Sequence, residues 1–249
     1  MFWMIYTLYQ DSLIFVRKNL FIVFPFFLHH TVSLLSNLFL SINKSIDFLL
    51  DLFLLILYLC LVETYCVAAL YKREMLSDSE ETVWQITNRF FGKVLLLFFT
   101  QAFFLLFLFI VYLILFSNAN FVLENLFLTF FVLFAGMVYL LSLRHLIWHN
   151  PALVMDSIKA GIKNLYGNFF LYFSFIVAGG ILTAYPSILF PISWALVPLL
   201  PIAERNSWVV YGGGINWFNL IVTPVLLAML SIALTYIFLS RDKKEKHAS

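Results

Sequence analysis

The chain has 249 residues, of which 63% are hydrophobic and 11% charged, with a formal net charge of +2 at pH 7. Soluble domains are about half apolar and about a quarter charged, so this composition excludes an ordinary soluble protein. No nucleotide loop or Gly-rich cofactor turn is present, the two cysteines have no metal-ligand spacing, and we expect no nucleic-acid partner, metal or cofactor.

The apolar residues form six runs of the length that a membrane helix needs, about 20 residues. These predict an all-α, polytopic membrane protein with six transmembrane helices, surrounded by the lipid bilayer. The predicted spans are residues 19–41, 48–70, 94–116, 121–143, 168–186 and 217–239.

A similar stretch precedes each pair of predicted spans: "DSLIFVRKNLFI" from Asp11, "ETVWQITNRFFG" from Glu81 and "DSIKAGIKNLYG" from Asp156. Each begins with an acidic and a hydroxyl residue, and its apolar residues recur at helical spacing beside a basic face. Such a stretch predicts an amphipathic helix in the membrane interface. Near the ends of the three stretches, Asn19, Gly92 and Gly167 would then allow a bend into the span.

The chain therefore reads as three repeats of an amphipathic interfacial helix followed by a transmembrane hairpin. The repeats belong to one integral membrane domain, residues 1–249, with a basic tail that we expect to be disordered. Their approximate bounds are 11–80, 81–155 and 156–240, and the tail is 241–249.

Ionisable side chains inside the first hairpin form a candidate polar site. His29 and His30 lie in the first predicted span and Glu63 lies in the second. Ionisable residues at membrane depth mark functional sites by default, and antiparallel neighbouring helices would bring these three together. They form either a proton or ligand site or a structural pair that satisfies buried polar groups.

The end of the fourth span carries two further signals. His145 and His149 are four residues apart, but no Glu follows His145 and no third ligand is evident, so we interpret both as interfacial histidines. Asn150 is expected to cap the next helix, with Pro151 as its first residue.

The third hairpin has a long connection, residues 186–216, where the first two have short turns. Its prolines exclude one continuous helix, and its apolar residues predict short pieces in the outer interface. The segment either caps the bundle or docks a protein, lipid or substrate. Its candidate binding residues are Trp194, Glu204, Arg205 and Trp208.

Charge asymmetry predicts the orientation. Of the 15 basic residues, 13 fall on one predicted side, and only Lys44 and Arg205 fall on the other. The positive-inside rule then places both termini in the cytoplasm. Arg144 is counted here as one of the cytoplasmic flanking charges.

The repeated entry, with "D-S…K-N-L" at Asp11 and Asp156 and "Y-G-N" at Tyr166, resembles a six-helix bacterial integral membrane family. That family is related to the membrane domain of glycerophosphoryl diester phosphodiesterases. The resemblance would cover most of the chain and implies a membrane domain that often accompanies other modules. We expect a multi-pass protein of the bacterial cytoplasmic membrane. The resemblance supplies no catalytic residues, and the soluble phosphodiesterase barrel is missing from this sequence.

Three functions remain open on the sequence alone. The first is a component without a catalytic centre, an accessory or permease-like subunit that works through a membrane protein partner or lipids. The second is a small transporter or channel that uses His29, His30 and Glu63. A membrane-embedded lipid enzyme has the least support, because no nucleophile–base pair is present.

Overall fold

The computed structural model describes residues 2–39, 53–116, 121–175, 177–178 and 217–248. Every regular element within these ranges is a helix, and they contain no strand. The all-α prediction is confirmed for this part of the chain.

Eight helices of the described residues are numbered here in chain order. They are α1 Phe2–Lys18, α2 Val23–Phe39, α3 Phe53–Met75, α4 Val83–Phe116, α5 Phe121–His149, α6 Val154–Gly167, α7 169–175 and α8 Trp217–Ala248. A 3₁₀ turn, Leu20–Ile22, precedes α2, and α3 contains a π-helical turn, Tyr58–Val62.

Three of the described helices are long and apolar enough to cross a membrane: Phe53–Met75, Val83–Phe107 and Val222–Arg241. The pair Tyr6–Lys18 and Leu20–His29, bent by 96°, adds a fourth if it is one broken span. These helices indicate a membrane protein. The predicted number of six spans stays a prediction, because parts of several predicted spans, such as residues 179–186, lie outside the described residues.

The first and third amphipathic stretches end in a break near the predicted position. At the first, the side-chain amide of Asn19 donates to the carbonyl oxygen of Phe15 at 2.9 Å, and the chain turns sharply into α2. At the third, α6 ends at Gly167, and the backbone N–H of Asn168 donates to Leu165 O at 3.3 Å. The side chain of Asn19 competes with helical hydrogen bonds, which favours a helix end at this position.

The predicted bend at Gly92 is wrong, because α4 runs through it without interruption. A lone glycine inside a helix costs only about 1 kcal/mol relative to alanine, and no proline or capping side chain follows it. The second stretch is therefore the first part of a 34-residue helix and not a separate element.

Two other predicted boundaries are also wrong. The helix after Pro151 begins at Val154, and Asn150 takes a left-handed backbone conformation, φ 43°, so it does not act as a helix cap. The basic tail is helical to Ala248, because its lysine and glutamate residues are good helix formers and no Gly or Pro interrupts them.

The contacts divide the chain into two compact units, which are described separately. The first comprises residues 1–58 and 173–236, and the second comprises 59–172 and 237–249. In the first unit the ring of Tyr9 stacks on Phe175 with centroids 5.6 Å apart. In the second, Tyr71 makes edge contacts with Phe90 and Trp148. The predicted single domain stays a prediction.

Candidate functional site

A buried ion pair lies in the core of the second unit. Glu63 follows the π-helical turn of α3, and its Oε2 lies 3.6 Å from Nη2 of Arg144 on α5. The two side chains are 5% and 0% exposed. The Nη1 of Arg144 also donates to Leu140 O at 2.8 Å. The two charges therefore neutralise each other inside the protein, with a further hydrogen bond holding the guanidinium.

This position of Arg144 corrects the sequence interpretation. Arg144 comes directly after the apolar run 121–143 and looks like a flanking cytoplasmic charge. In the structure α5 continues to His149, so Arg144 lies within the helix and is completely buried. The sequence signal was Glu63 itself, because a carboxylate in an apolar helix requires a cation nearby.

The π-helical turn beside Glu63 exposes a carbonyl group to another helix. A π turn changes the backbone hydrogen bonds from i−4 to i−5, which disturbs the regular pairing of the helix. The hydroxyl of Tyr139 donates to Leu59 O at 3.0 Å and lies 3.9 Å from Cys60 Sγ. Thr64, one turn later, has a buried hydroxyl without a hydrogen-bond partner in the described part of the chain.

His29 lies in the first unit, beside the earlier part of α3. Its Nε2 lies 2.9 Å from Leu54 O, to which it donates, and its ring centroid is 5.0 Å from that of Tyr58. The imidazole thus has a polar partner that is not a carboxylate. The side chain of His30 lies outside the described part. The predicted contact between these histidines and Glu63 stays a prediction.

The other predicted binding residues lie outside the described part of the chain. Trp194, Glu204, Arg205 and Trp208 all lie in the stretch 179–216, outside the described residues. Their proposed role in docking therefore stays a prediction.

His145 and His149 lie side by side, with ring centroids 4.6 Å apart. The Nδ1 of His145 is 3.4 Å from the hydroxyl of Ser157 on α6. Within the described ranges, no three His, Cys, Asp or Glu side chains converge in a way that could hold a metal ion. His145 therefore connects α5 to α6 through Ser157.

The helices α5 and α6 pack closely where Gly161 faces Ser142. A Cβ atom at Gly161 would collide with Ser142 Oγ, so only glycine allows this approach. The connection between the helices is held by Lys93 of α4, whose Nζ donates to Asn150 Oδ1 at 2.7 Å and to Pro151 O at 3.1 Å. These contacts fix α6 against α4 and α5.

The three helices enclose one side of an apolar groove of about 400 Å³, which we call the α4–α5–α6 groove. Its main apolar lining is Phe103, Phe104, Phe134, Val138, Ile158 and Ile162. The amide of Gln101, also in the lining, lies 3.5 Å from Ser142 Oγ. Among the lining residues, Lys159 carries the only charge, and it is exposed.

The groove combines residues from three separate helices, and no sequence motif marked it. Lys159 belongs to the basic face of the third amphipathic stretch, which the sequence predicts to lie in the membrane interface. The position of Lys159 among apolar residues of the same helix could have been the signal, because Met155, Ile158 and Ile162 follow helical spacing around it.

Comparisons with known proteins add no relative: no family model, curated protein or solved structure matches the chain. The resemblance to the membrane domain of glycerophosphoryl diester phosphodiesterases therefore stays a prediction.

Proposed function

We propose that the protein is an integral membrane component without its own catalytic centre, an accessory or permease-like subunit that acts through a lipid or protein partner. We place it in the bacterial cytoplasmic membrane with both termini in the cytoplasm, as the charge asymmetry predicts. The observation that supports this function best is the difference between two sites. Glu63 is buried in an ion pair with Arg144, whereas the α4–α5–α6 groove is open and apolar.

The buried pair fits a structural role better than a transport role. A transport site must exchange its charge with a proton, ion or substrate that arrives from water. Glu63 and Arg144 are each less than a tenth exposed and hold each other. Separating them would leave an uncompensated charge in an apolar core, which costs several kcal/mol. The pair therefore joins α3 to α5.

The open groove fits partner binding. Contiguous apolar surfaces with few polar groups are typical of binding sites for hydrophobic ligands or partners. The groove has this character, with one charged residue and the Gln101 amide among apolar side chains. A partner within the membrane would cover Phe103, Phe104 and Phe134.

Two substitutions on α5 test this function. Ala135 lines the groove, whereas its neighbour Gly136 is exposed and a side chain there would meet open space. We expect Ala135→Phe to fill the groove and remove the component that co-purifies from the native membrane. Gly136→Phe, with the same bulk outside the groove, should keep it. Equal retention by both variants would contradict the proposal.

A transporter is the second candidate, because the π-helical turn Tyr58–Val62 directly precedes Glu63 on α3. Such turns are often found at functional sites. Proton flux into liposomes that contain the full chain distinguishes the two functions. The accessory function predicts no flux beyond that of protein-free liposomes. Flux that Glu63→Gln abolishes would favour the transporter.

A further inference from the structure

We propose that the α4–α5–α6 groove binds one acyl chain of an anionic phospholipid, with the ammonium group of Lys159 at the lipid phosphate. This inference rests on the proposed function and names the partner as a lipid. The chain itself supplies both parts of such a site, an apolar groove and a cation beside it.

The apolar part suits an acyl chain. The groove volume of about 400 Å³ lies within the range of small-molecule sites, roughly 300–1,000 Å³. Aromatic rings from two helices line it, including Phe103 and Phe104 of α4 and Phe134 of α5. Its residues Phe103, Phe104 and Ile162 are also exposed, so the groove opens toward the surroundings of the bundle.

The bulk of this lining favours a lipid over a transmembrane helix of another protein. Helices associate in membranes mainly through small residues, which let two backbones approach closely. The groove instead presents large phenylalanine side chains, and Thr100 and Ala135 are the small residues of its lining. A thin, flexible chain can lie between these rings, whereas a helix backbone is held away by them.

The position of Lys159 favours the binding of a lipid with an anionic headgroup. Met155, Lys159 and Ile162 follow one another at spacings of four and three, so they lie on one face of α6. The cation is thus placed within an apolar face, and it forms no ion pair with a described residue. A phosphate at the membrane surface would supply the missing negative charge.

The distance along α4 is consistent with this arrangement. Lys93, at the predicted cytoplasmic boundary, is bound to the α5–α6 connection. Thr100 is seven residues further along, or about 10 Å at 1.5 Å per residue. An acyl chain beside Phe103 and Phe104 would then enter the apolar region while its headgroup stays near α6.

Native mass spectrometry of the full chain tests the site. The protein is reconstituted in phosphatidylcholine vesicles that contain phosphatidylglycerol as the minor lipid, then extracted gently so that retained lipids are weighed with it. The variants are Lys159→Gln and Ala135→Phe. Their matched controls are Lys163→Gln, an exposed lysine one turn along α6 outside the groove lining, and Gly136→Phe.

We expect wild-type protein to retain phosphatidylglycerol in preference to phosphatidylcholine. Lys159→Gln should lower this preference by about fivefold, which corresponds to the ~1 kcal/mol of one lysine near an anionic surface. Ala135→Phe should reduce retention of both lipids, because it fills the space of the acyl chain. Both control variants should behave as wild type.

Other outcomes would overturn the inference and separate it from the proposed function. Equal preference in Lys159→Gln and Lys163→Gln would mean that the headgroup is not bound at this lysine. Unchanged retention in Ala135→Phe would exclude the groove as the acyl site. A further outcome is that wild-type protein retains no lipid, while a partner protein co-purifies with it from native membranes and not with Ala135→Phe. In that case the lipid inference fails and the accessory function stands. Free inorganic phosphate should not compete with phosphatidylglycerol, and competition would exclude a lipid-specific site.

Discussion

Two cationic residues on neighbouring helices of the second unit have opposite surroundings. Arg144 on α5 is completely buried and lies 3.6 Å from Glu63. Lys159 on α6 is exposed, lines an apolar groove and has no carboxylate partner among the described residues. The charge of Arg144 is neutralised within the fold by Glu63, and we therefore propose a structural role for this pair. We propose the opposite for Lys159, whose charge is available to a lipid phosphate.

The largest expected effect comes from breaking the buried pair. Arg144→Leu removes the cation beside the buried Glu63 carboxylate, and breaking a buried ion pair in this way costs about 3–5 kcal/mol of unfolding free energy. Unfolding in mixed micelles, followed by circular dichroism, measures this cost. Lys159→Leu, the matched change at the exposed lysine, should change stability by no more than about 0.5 kcal/mol.

The double variant Glu63→Leu with Arg144→Leu tests whether the buried pair does more than neutralise its two charges. Apolar replacement of a whole buried pair is often neutral or stabilising, so most of the loss in Arg144→Leu should be recovered. If the double variant is as unstable as the single one, the pair contributes something beyond mutual neutralisation.

The next effect concerns the contact that places α6. Gly161→Ala puts a methyl group against Ser142 Oγ, and we expect overpacking to cost about 1–3 kcal/mol. The lipid retained in the groove should fall as well, because α6 must move away from α5. Gly167→Ala is the control, since a Cβ there meets no atom within 4 Å. Equal stability of the two variants would show that α6 adapts freely.

A smaller effect is expected at the π-helical turn. Tyr139→Phe removes the hydroxyl that donates to Leu59 O, which should cost about 0.5–1.5 kcal/mol. Tyr166→Phe, at a tyrosine that is 88% exposed, should have no measurable effect on unfolding. A neutral Tyr139→Phe would mean that the carbonyl finds another donor.

The smallest effect on the free energy of unfolding is expected at Thr64, where a single substitution should not destabilise the protein. Its buried hydroxyl has no described partner, so Thr64→Val should be neutral or stabilise the protein by up to about 1 kcal/mol. Thr87→Val is the control, because the Thr87 hydroxyl donates to Val83 O at 2.8 Å and its loss should destabilise. A strongly destabilising Thr64→Val would point to a partner for that hydroxyl, such as water.

Features set by local sequence were predicted best. The helical class follows from apolar length, and the break at Asn19 follows from a side chain that competes with the helix. The same reasoning failed at Gly92 and Asn150, because glycine permits a helix as well as a bend, and Asn150 closes a turn with Lys93 instead.

Features that depend on a neighbouring helix were missed. Arg144 follows an apolar run and looks like a flanking charge until Glu63 of α3 is placed beside it. Gly161 has no special sequence context, and its importance comes from Ser142 on another helix. Prediction of the groove requires the relative positions of α4, α5 and α6, and hydrophobic periodicity does not give these positions.

We propose that Glu63 lies in a closed structural core and not in a water-filled path. The only two cysteines of the chain test it directly, since Cys60 and Cys66 lie on α3 on either side of Glu63 and are 1% and 0% exposed. The measurement is the rate at which a water-soluble methanethiosulfonate reagent modifies them in permeabilised membranes, with Ser77→Cys in the exposed α3–α4 loop as the accessible control. We expect only the control cysteine to react before unfolding, and all of them to react afterwards. Fast modification of Cys60 or Cys66 in the folded protein would place water beside Glu63 and contradict the account.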